Sequence, residues 1–285
     1  MTGIQWTNEV WNPTTGCDRV SAGCDNCYAL KMAKRLKGMG QAKYQTDGDP
    51  RTSGPGFGLA VHPDSLETPL HWRNPLMIFV NSMSDLFHPK VPTAFIGAVF
   101  DVMAQTPQHT YQILTKRAPR MRSLSRGATF GERWPLPNVW LGVSAEDQGE
   151  ADRRIPLLLD TRAAVRFVSA EPLLGPVGLR PGEWIPPTGG GPRVNLATPW
   201  ETPGPSLDWV IVGGESGPGA RRMTEGWARF LVEQCQDTGT AVFVKQLGSV
   251  LGRKLGAGSK GGDWERWPAD LMVREFPAAA EVIPA

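Results

Sequence analysis

The chain has 285 residues and a formal net charge of +2, and hydrophobic and charged residues make up 40% and 20% of it. This composition excludes a disordered chain, and the length supplies enough apolar side chains for a large buried core. No apolar run reaches about 18 residues, which excludes an ordinary membrane-spanning helix, and so small a net charge does not by itself indicate a nucleic-acid-binding protein.

The sequence alternates between short runs rich in β-branched and aliphatic residues and segments of helical length, which is typical of a parallel α/β protein. The predicted strands are residues 10–12, 77–81, 111–115, 139–143, 165–169, 209–212 and 241–245. The predicted helices are residues 25–36, 92–105, 119–125, 147–159 and 224–238, with Gly239 as the stop of the last one. This order predicts a complete or partial TIM-like (β/α) barrel, with a doubly wound open sheet as the alternative.

Neither an internal repeat nor a break in composition divides the sequence, so we predict a single β/α barrel domain over residues 1–285, with an N-terminal cysteine loop. Two segments depart from the alternation. Residues 38–73 form a long excursion after the first predicted helix. Residues at about 179–206 are dense in Pro and Gly, which predicts a surface insertion or lid, with a plain linker as the alternative.

Polar residues follow nearly every predicted strand, where a β/α barrel builds its active site. They are Asn81, Ser82, Ser84, Asp85, Lys116, Arg117, Glu146, Glu171, Glu215 and Lys245. A helix cap or a solvated loop explains one such residue, whereas a whole set at strand ends predicts a shared polar site.

Three of the four cysteines, Cys17, Cys24 and Cys27, form a C-x6-C-x2-C run. Thiolates are soft ligands for zinc and for iron-sulfur clusters. A structural zinc ion requires four ligands, and Cys235 is remote and reads as a buried core residue, so we predict a [4Fe-4S] cluster with one open iron. Zinc with a histidine or Cys235, or no metal at all, are the alternatives. Residues 1–11 lack the pattern of a secretory signal, so we expect the cytoplasm, where thiols stay reduced.

The cysteines lie among the segments Trp11-Asn12-Pro13, Gly16-Cys17, Gly23-Cys24 and Cys27-Tyr28-Ala29. This loop resembles the cluster loop of radical S-adenosylmethionine enzymes and is distantly similar to that of spore photoproduct lyase. Further segments are Ser82-Met83-Ser84-Asp85-Leu86-Phe87, Leu114-Thr115-Lys116-Arg117, Ser169-Ala170-Glu171-Pro172-Leu173-Leu174, Gly213-Gly214-Glu215-Ser216-Gly217 and Lys245-Gln246-Leu247-Gly248. With them, nearly the whole chain resembles an uncharacterised bacterial and phage family of three-Cys-motif proteins.

The resemblance implies that the open iron binds the amino and carboxylate groups of S-adenosylmethionine, and that one electron then releases a 5'-deoxyadenosyl radical. Tyr28 would shield the adenine, and the methionine amino group would meet the polar segment Asn81, Ser82, Ser84 and Asp85. Radical S-adenosylmethionine enzymes bind the methionine amino group with a motif of the same sequence as Gly213, Gly214 and Glu215, but here these residues follow a later strand. The two glycines would permit close backbone approach to a ligand. Radical S-adenosylmethionine enzymes usually space these cysteines C-x3-C-x2-C, whereas the first gap here is six residues.

The resemblance further implies that the substrate contacts Lys116, Arg117, Glu146, Glu171 and Lys245, and that an electron donor is required. Lys116 and Arg117 directly follow a predicted strand, so with Arg120 they are expected to contact phosphate of a nucleic acid or nucleotide at the barrel mouth. In the alternative, Lys116 and Arg117 pair with Glu146 or Glu171 and organise the site. No membrane partner is expected.

Two other functions remain open. The acids Glu146, Glu171 and Glu215 at strand ends fit a carboxylate-based barrel hydrolase. The basic clusters and tryptophans fit a zinc-stabilised nucleic-acid-binding protein.

Overall fold

The computed structural model describes residues 4–179 and 206–278, which form a mixed α/β fold. The strands within them are β1 (Glu9–Trp11), β2 (Thr14–Thr15), β3 (Ala60–Val61), β4 (Met77–Val80), β5 (Thr110–Thr115), β6 (Val139–Ser144), β7 (Val165–Ala170), β8 (Trp209–Gly213) and β9 (Ala241–Gln246). The α-helices within them are α1 (Tyr28–Gly38), α2 (Thr93–Gln105), α3 (Ala118–Arg126), α4 (Gln148–Leu159), α5 (Glu225–Thr238) and α6 (Gly248–Leu255).

Seven strands form one sheet in the order β1-β4-β5-β6-β7-β8-β9. The pairs β1/β4, β4/β5, β7/β8 and β8/β9 run parallel. Each of these strands was predicted from its apolar run, and the predicted parallel α/β class is confirmed.

The described chain divides into two compact units. The first comprises residues 4–141 and 161–164. Residues Ile78, Phe79 and Val80 of its strand β4 are buried, as expected of an apolar strand that is covered on both faces. Helix α2 buries Ile96, Val99, Phe100 and Met103, whose spacing of three and four residues places them on one face.

The second unit comprises residues 142–160, 165–179 and 206–278. Strand β8 is buried along its whole length. Helix α5 begins where the Thr224 side chain accepts a hydrogen bond from the amide of Trp227, and it ends at Gly239 in the left-handed conformation, as predicted.

Three local features differ from the sequence prediction. Helix α1 begins at Tyr28 rather than at residue 25, because Ala22–Cys24 form a 3-10 turn and Cys27 has a non-helical backbone. Helix α6 and the antiparallel pair β2/β3 were not predicted. Strands of two residues are too short to carry a hydrophobic period.

The predicted insertion at about 179–206 lies outside the described residues except for its two ends, and the single domain over residues 1–285 stays a prediction. No helix in the described ranges is both long and apolar enough to span a bilayer.

Candidate functional site

The backbone of the cysteine loop is fixed by a glycine. Gly16 has a φ of +86°, and a Cβ atom there would lie 2.1 Å from the carbonyl oxygen of Gly58. The amide of Gly16 donates to the carbonyl of Met83 (3.0 Å), and that of Cys17 donates to the carbonyl of Phe57 (3.3 Å). The start of the loop is therefore held by two later segments of the first unit.

The three loop cysteines are free thiols, and each is half-buried. The amides of Ala29 and Leu30, in the first turn of α1, donate hydrogen bonds to the sulfur of Cys27. A thiolate at Cys24 would raise the pKa of both Cys17 and Cys27, so the three sulfurs lie near enough to influence one another. Cys17 and Cys27 also pack against one apolar cluster, made of Ala29, Ala33, Phe57 and Met83.

The environment of these thiols disfavours the free thiolate. The pKa of Cys17 is raised to about 12, chiefly by burial and next by the neighbouring carboxylate of Asp85, although the Arg117 guanidinium opposes this rise. Burial also raises the pKa of Cys27. Metal binding at these thiols must therefore displace protons, as is usual for thiolate ligands.

Arg117 lies between β5 and α3 and reaches into the cysteine loop. Its Nη1 atom is 3.2 Å from the sulfur of Cys17 and 3.1 Å from Oδ2 of Asp85. Its Nη2 atom donates to the backbone carbonyl of Asp18 at 3.1 Å. Only 12% of the side chain is exposed, so its geometry is set by these contacts.

The carboxylate of Asp85 is held by four donors and is buried. Oδ1 accepts from the amide of Phe87 (3.0 Å) and the hydroxyl of Thr115 (2.7 Å). Oδ2 accepts from the amide of Lys116 (3.1 Å) and from Arg117. Both oxygens are thus occupied by protein groups, and Asp85 fixes the position of Arg117.

A histidine and an aspartate that the sequence analysis missed brace the same loop. The amide of Lys90 donates to Nδ1 of His88 (3.2 Å), so Nε2 carries the proton and donates to Oδ2 of Asp18 (2.9 Å). The hydroxyls of Thr52 and Ser53 donate to Oδ1 of Asp18. Burial acts to raise the pKa of Asp18, but these hydrogen bonds outweigh it, so the pKa of Asp18 is lowered. Burial lowers the pKa of His88.

The polar segment after β4 is tied to the loop after β1. Asn81 has a φ of 62°, and its Oδ1 accepts from the amide of Thr14 (3.3 Å). The Ser82 hydroxyl is 3.2 Å from Nδ2 of Asn12, and the Ser84 hydroxyl is 2.7 Å from that of Thr14. These side chains, predicted to bind the cofactor, therefore also connect two backbone segments.

Tyr28 is the first residue of α1 and directly follows Cys27. Its hydroxyl donates to the backbone carbonyl of Ser82, while 54% of the residue is exposed. The ring therefore lies at the surface beside the cysteine loop.

The basic residues predicted to contact phosphate have different surroundings. The ammonium of Lys116 makes no hydrogen bond or ion pair with the residues that the structure describes, and its charge acts on Cys27. Arg120 donates instead to the backbone carbonyls of His88 and Val91. Lys116 is therefore free to bind an anion, whereas Arg120 is engaged in the fold.

In the second unit, Lys245 at the end of β9 donates to both carboxylate oxygens of Glu171, each at 2.9 Å. Nε2 of Gln246 donates to the same carboxylate at 3.1 Å. A Cβ atom at residue 213 would lie 2.9 Å from the Glu171 carboxyl carbon, so Gly213 makes room for this side chain.

The other two predicted acids of the second unit each have an arginine partner. Arg221 binds Glu215 through its backbone amide at 2.7 Å and through its guanidinium at 2.5 and 3.0 Å. Arg154 binds Glu146 at 2.9 Å, with both side chains buried. Gly214 allows the carbonyl of Leu247 to approach, because a Cβ atom there would lie 2.5 Å from that oxygen.

The structure thus brings together two sets of predicted residues, one in each unit. That the two sets form one shared site stays a prediction. Within the described ranges, no group of three or more His, Cys, Asp or Glu side chains is arranged around one point so as to hold a single metal ion.

Comparison with known proteins gives one match. No curated protein and no solved structure matches the chain. A model of the family DUF5131, described as a protein of unknown function, matches residues 1–271. This match covers nearly the whole chain and confirms the predicted membership in an uncharacterised family, whereas the likeness to radical S-adenosylmethionine enzymes stays a prediction. The chain belongs to the DUF5131 family.

Proposed function

We propose that this chain is an iron-sulfur protein that holds a [4Fe-4S] cluster on Cys17, Cys24 and Cys27. The observation that carries the proposal is the set of donors directed at sulfur. The Arg117 guanidinium donates to Cys17, and two amides of α1 donate to Cys27. Donors of this kind stabilise thiolates that ligate iron-sulfur clusters.

The same arrangement is less suitable for zinc. A zinc ion gathers four ligands around one atom, whereas the cysteines of a four-iron cluster bind separate irons. His88 lies near the loop through Asp18, but both of its ring nitrogens are already hydrogen-bonded. Cys235 belongs to the second unit and is buried on α5.

We further propose a radical S-adenosylmethionine-type enzyme of the cytoplasm, on a partial (β/α) barrel. A seven-stranded parallel sheet with β1 and β9 at its ends is compatible with a partial barrel. When bound, the cluster would supply one electron for cleavage of the sulfonium, with an electron donor protein as partner. Tyr28 and the segment Asn81, Ser82 and Ser84 would line the cofactor site. Tyr28, the first residue of α1, donates to the carbonyl of Ser82, and the segment is hydrogen-bonded to Asn12 and Thr14, just before the cysteine loop.

The proposed substrate is a nucleic acid or nucleotide. The half-buried Lys116 directly follows β5, and its ammonium has no protein partner among the described residues. It is therefore the residue that we assign to phosphate. No observation favours the hydrolase, since Glu146, Glu171 and Glu215 each bind a cation of the chain.

Anaerobic purification tests the proposal. Iron, acid-labile sulfide and zinc are measured on the intact chain, together with absorbance and electron paramagnetic resonance after reduction. We expect about four irons and four sulfides per chain. Reduction with dithionite in the presence of S-adenosylmethionine is expected to yield methionine and 5'-deoxyadenosine. One zinc per chain, or colourless protein after reconstitution with iron and sulfide, would overturn the cluster, and a loaded cluster without deoxyadenosine would overturn the enzyme class.

A further inference from the structure

The contacts of the Arg117 guanidinium differ from those of the phosphate-binding residue that its position after a strand predicts. A phosphate-binding arginine keeps its terminal nitrogens available to the ligand. Here Nη1 lies between Cys17 and Asp85, and Nη2 donates to the carbonyl of Asp18. Both terminal nitrogens are therefore directed at the cysteine loop.

This orientation is fixed from the far side by Asp85. Its two oxygens accept hydrogen bonds from Phe87, Thr115, Lys116 and Arg117, and the residue is 5% exposed. Such a carboxylate cannot rotate without losing several hydrogen bonds at once. Asp85 therefore holds the Arg117 guanidinium beside the Cys17 sulfur, although these two residues are 100 positions apart in the sequence.

We propose that Arg117 is a positioning residue of the proposed cluster: it donates a charge-assisted hydrogen bond to the sulfur of Cys17 and raises the reduction potential of the cluster. The inference rests on the proposed function. Reduction adds one negative charge to the cluster and its thiolates, and a donor with a positive charge stabilises the more negative state. Removing the donor makes reduction harder.

The test compares three variants on the intact, reconstituted protein. Arg117→Gln removes the charge and the fork of donors. Arg117→Lys keeps the charge but loses the planar fork. Arg126→Gln is the matched control, because Arg117 caps the start of α3 and Arg126 is its last residue, so this variant removes the same charge about 13 Å away along the helix axis.

Each protein is titrated anaerobically with dithionite, which gives one electron to each oxidised cluster, and the reduced fraction is followed by electron paramagnetic resonance. For Arg117→Gln we expect a tenfold less favourable one-electron reduction, equal to a shift of about 59 mV to lower potential. Arg117→Lys is expected to recover part of this shift, and Arg126→Gln is expected to match the wild type.

Iron content is measured on the same samples. A potential for Arg117→Gln equal to the wild type, at equal iron content, overturns the inference. If that variant does not fold, Arg117→Lys carries the test, and a wild-type potential in it likewise overturns the inference. Failure of the wild-type protein to load any cluster overturns the proposed function instead, so the two failures are distinct.

Discussion

The guanidinium of Arg154 lies 2.9 Å from the carboxylate of Glu146, and only 4% and 0% of the two side chains are exposed. Arg154→Met would leave the Glu146 carboxylate buried without this partner. We expect the free energy of unfolding to fall by about 3 to 5 kcal/mol, which urea denaturation measures.

The neighbouring residue on α4 provides the control for this prediction. Arg153 is 75% exposed, and it forms an ion pair with Glu150, which also pairs with Arg154. Arg153→Met is therefore expected to change the free energy of unfolding by less than about 1 kcal/mol. Equal losses in the two variants would contradict the assignment of a buried ion pair.

The cysteines separate into three proposed ligands and one core residue. Changing Cys17, Cys24 or Cys27 to Ser is expected to reduce iron and sulfide to background, because each thiolate holds its own iron. Cys235→Ala is expected to keep the iron content, since burial on α5 raises the pKa of this thiol to about 12 and hides it from solvent. Full iron loading in any of the three loop variants speaks against the cluster.

Gly16 is expected to be essential for the cysteine loop. In Gly16→Ala the new Cβ would lie 2.1 Å from the Gly58 carbonyl in addition to the strain of a positive φ. The strain of the positive φ alone costs about 1 to 2 kcal/mol, and the contact adds to it. We therefore expect the free energy of unfolding to fall by about 2 kcal/mol or more. The iron content is also expected to fall.

The comparison for this variant is Gly54→Ala. Gly54 has a similar φ of +77°, but nothing lies within 4 Å of the position that its Cβ would take. This variant should show the strain of about 1 to 2 kcal/mol and no loss of iron. If both alanine variants behave alike, the contact with Gly58 has no effect of its own.

Acid is expected to destabilise the protein through a buried histidine. His109 is buried, and burial lowers its pKa. The unfolded chain takes up a proton near the ordinary pKa of about 6.5, so it binds more protons than the folded chain just below that pH. The free energy of unfolding therefore falls as pH drops through about 6.5, by up to about 1.4 kcal/mol per pH unit for this group.

Urea denaturation at about pH 7.5, 6.5 and 5.5 measures this dependence. His109→Gln is expected to flatten the curve, whereas the exposed His71, changed to Gln, is expected to leave the slope unchanged. A wild-type slope in His109→Gln would show that the pH dependence arises elsewhere.

Lys116 is expected to contribute to nucleic-acid binding. Lys116→Ala should weaken binding of single-stranded DNA or RNA and reduce the slope of log K against log salt by about 0.7, because one phosphate contact is lost. Lys254→Ala removes an exposed lysine of the second unit and is expected to leave the slope unchanged. Binding titrations at two salt concentrations decide, and equal slopes in all three proteins argue against a phosphate contact at Lys116.

The strands were predictable because each carries its signal within a few consecutive residues. Strand β8, for example, is an uninterrupted apolar run and is buried throughout. The cysteine spacing predicts a metal loop, and this stays a prediction. Helix α6 was missed because its start depends on Gly248, which has a φ of +76° and at which a Cβ atom would lie 2.8 Å from the carbonyl oxygen of Glu215.

The partners of the site residues could not be read from the sequence. Arg117 and Asp85 lie 32 residues apart, and His88 and Asp18 lie 70 apart. Helical and strand periodicities relate only residues that are close in sequence, so they do not predict such pairs. These residues meet because the strands that precede them pair in the sheet. The only signal was adjacency, since Asp18 directly follows Cys17.

The long-range contacts of the cysteine loop also determine when a metal centre can be built. The loop takes its shape from Phe57, Met83 and Arg117, all of which lie far later in the chain. The ligands are therefore arranged only after most of the first unit has been synthesised and packed. Unlike a zinc finger, which folds around its ion, a chain with the proposed cluster would receive it only after the first unit has folded. A proposed cluster that is destroyed by oxygen would then be replaceable on the same folded molecule, without new protein synthesis.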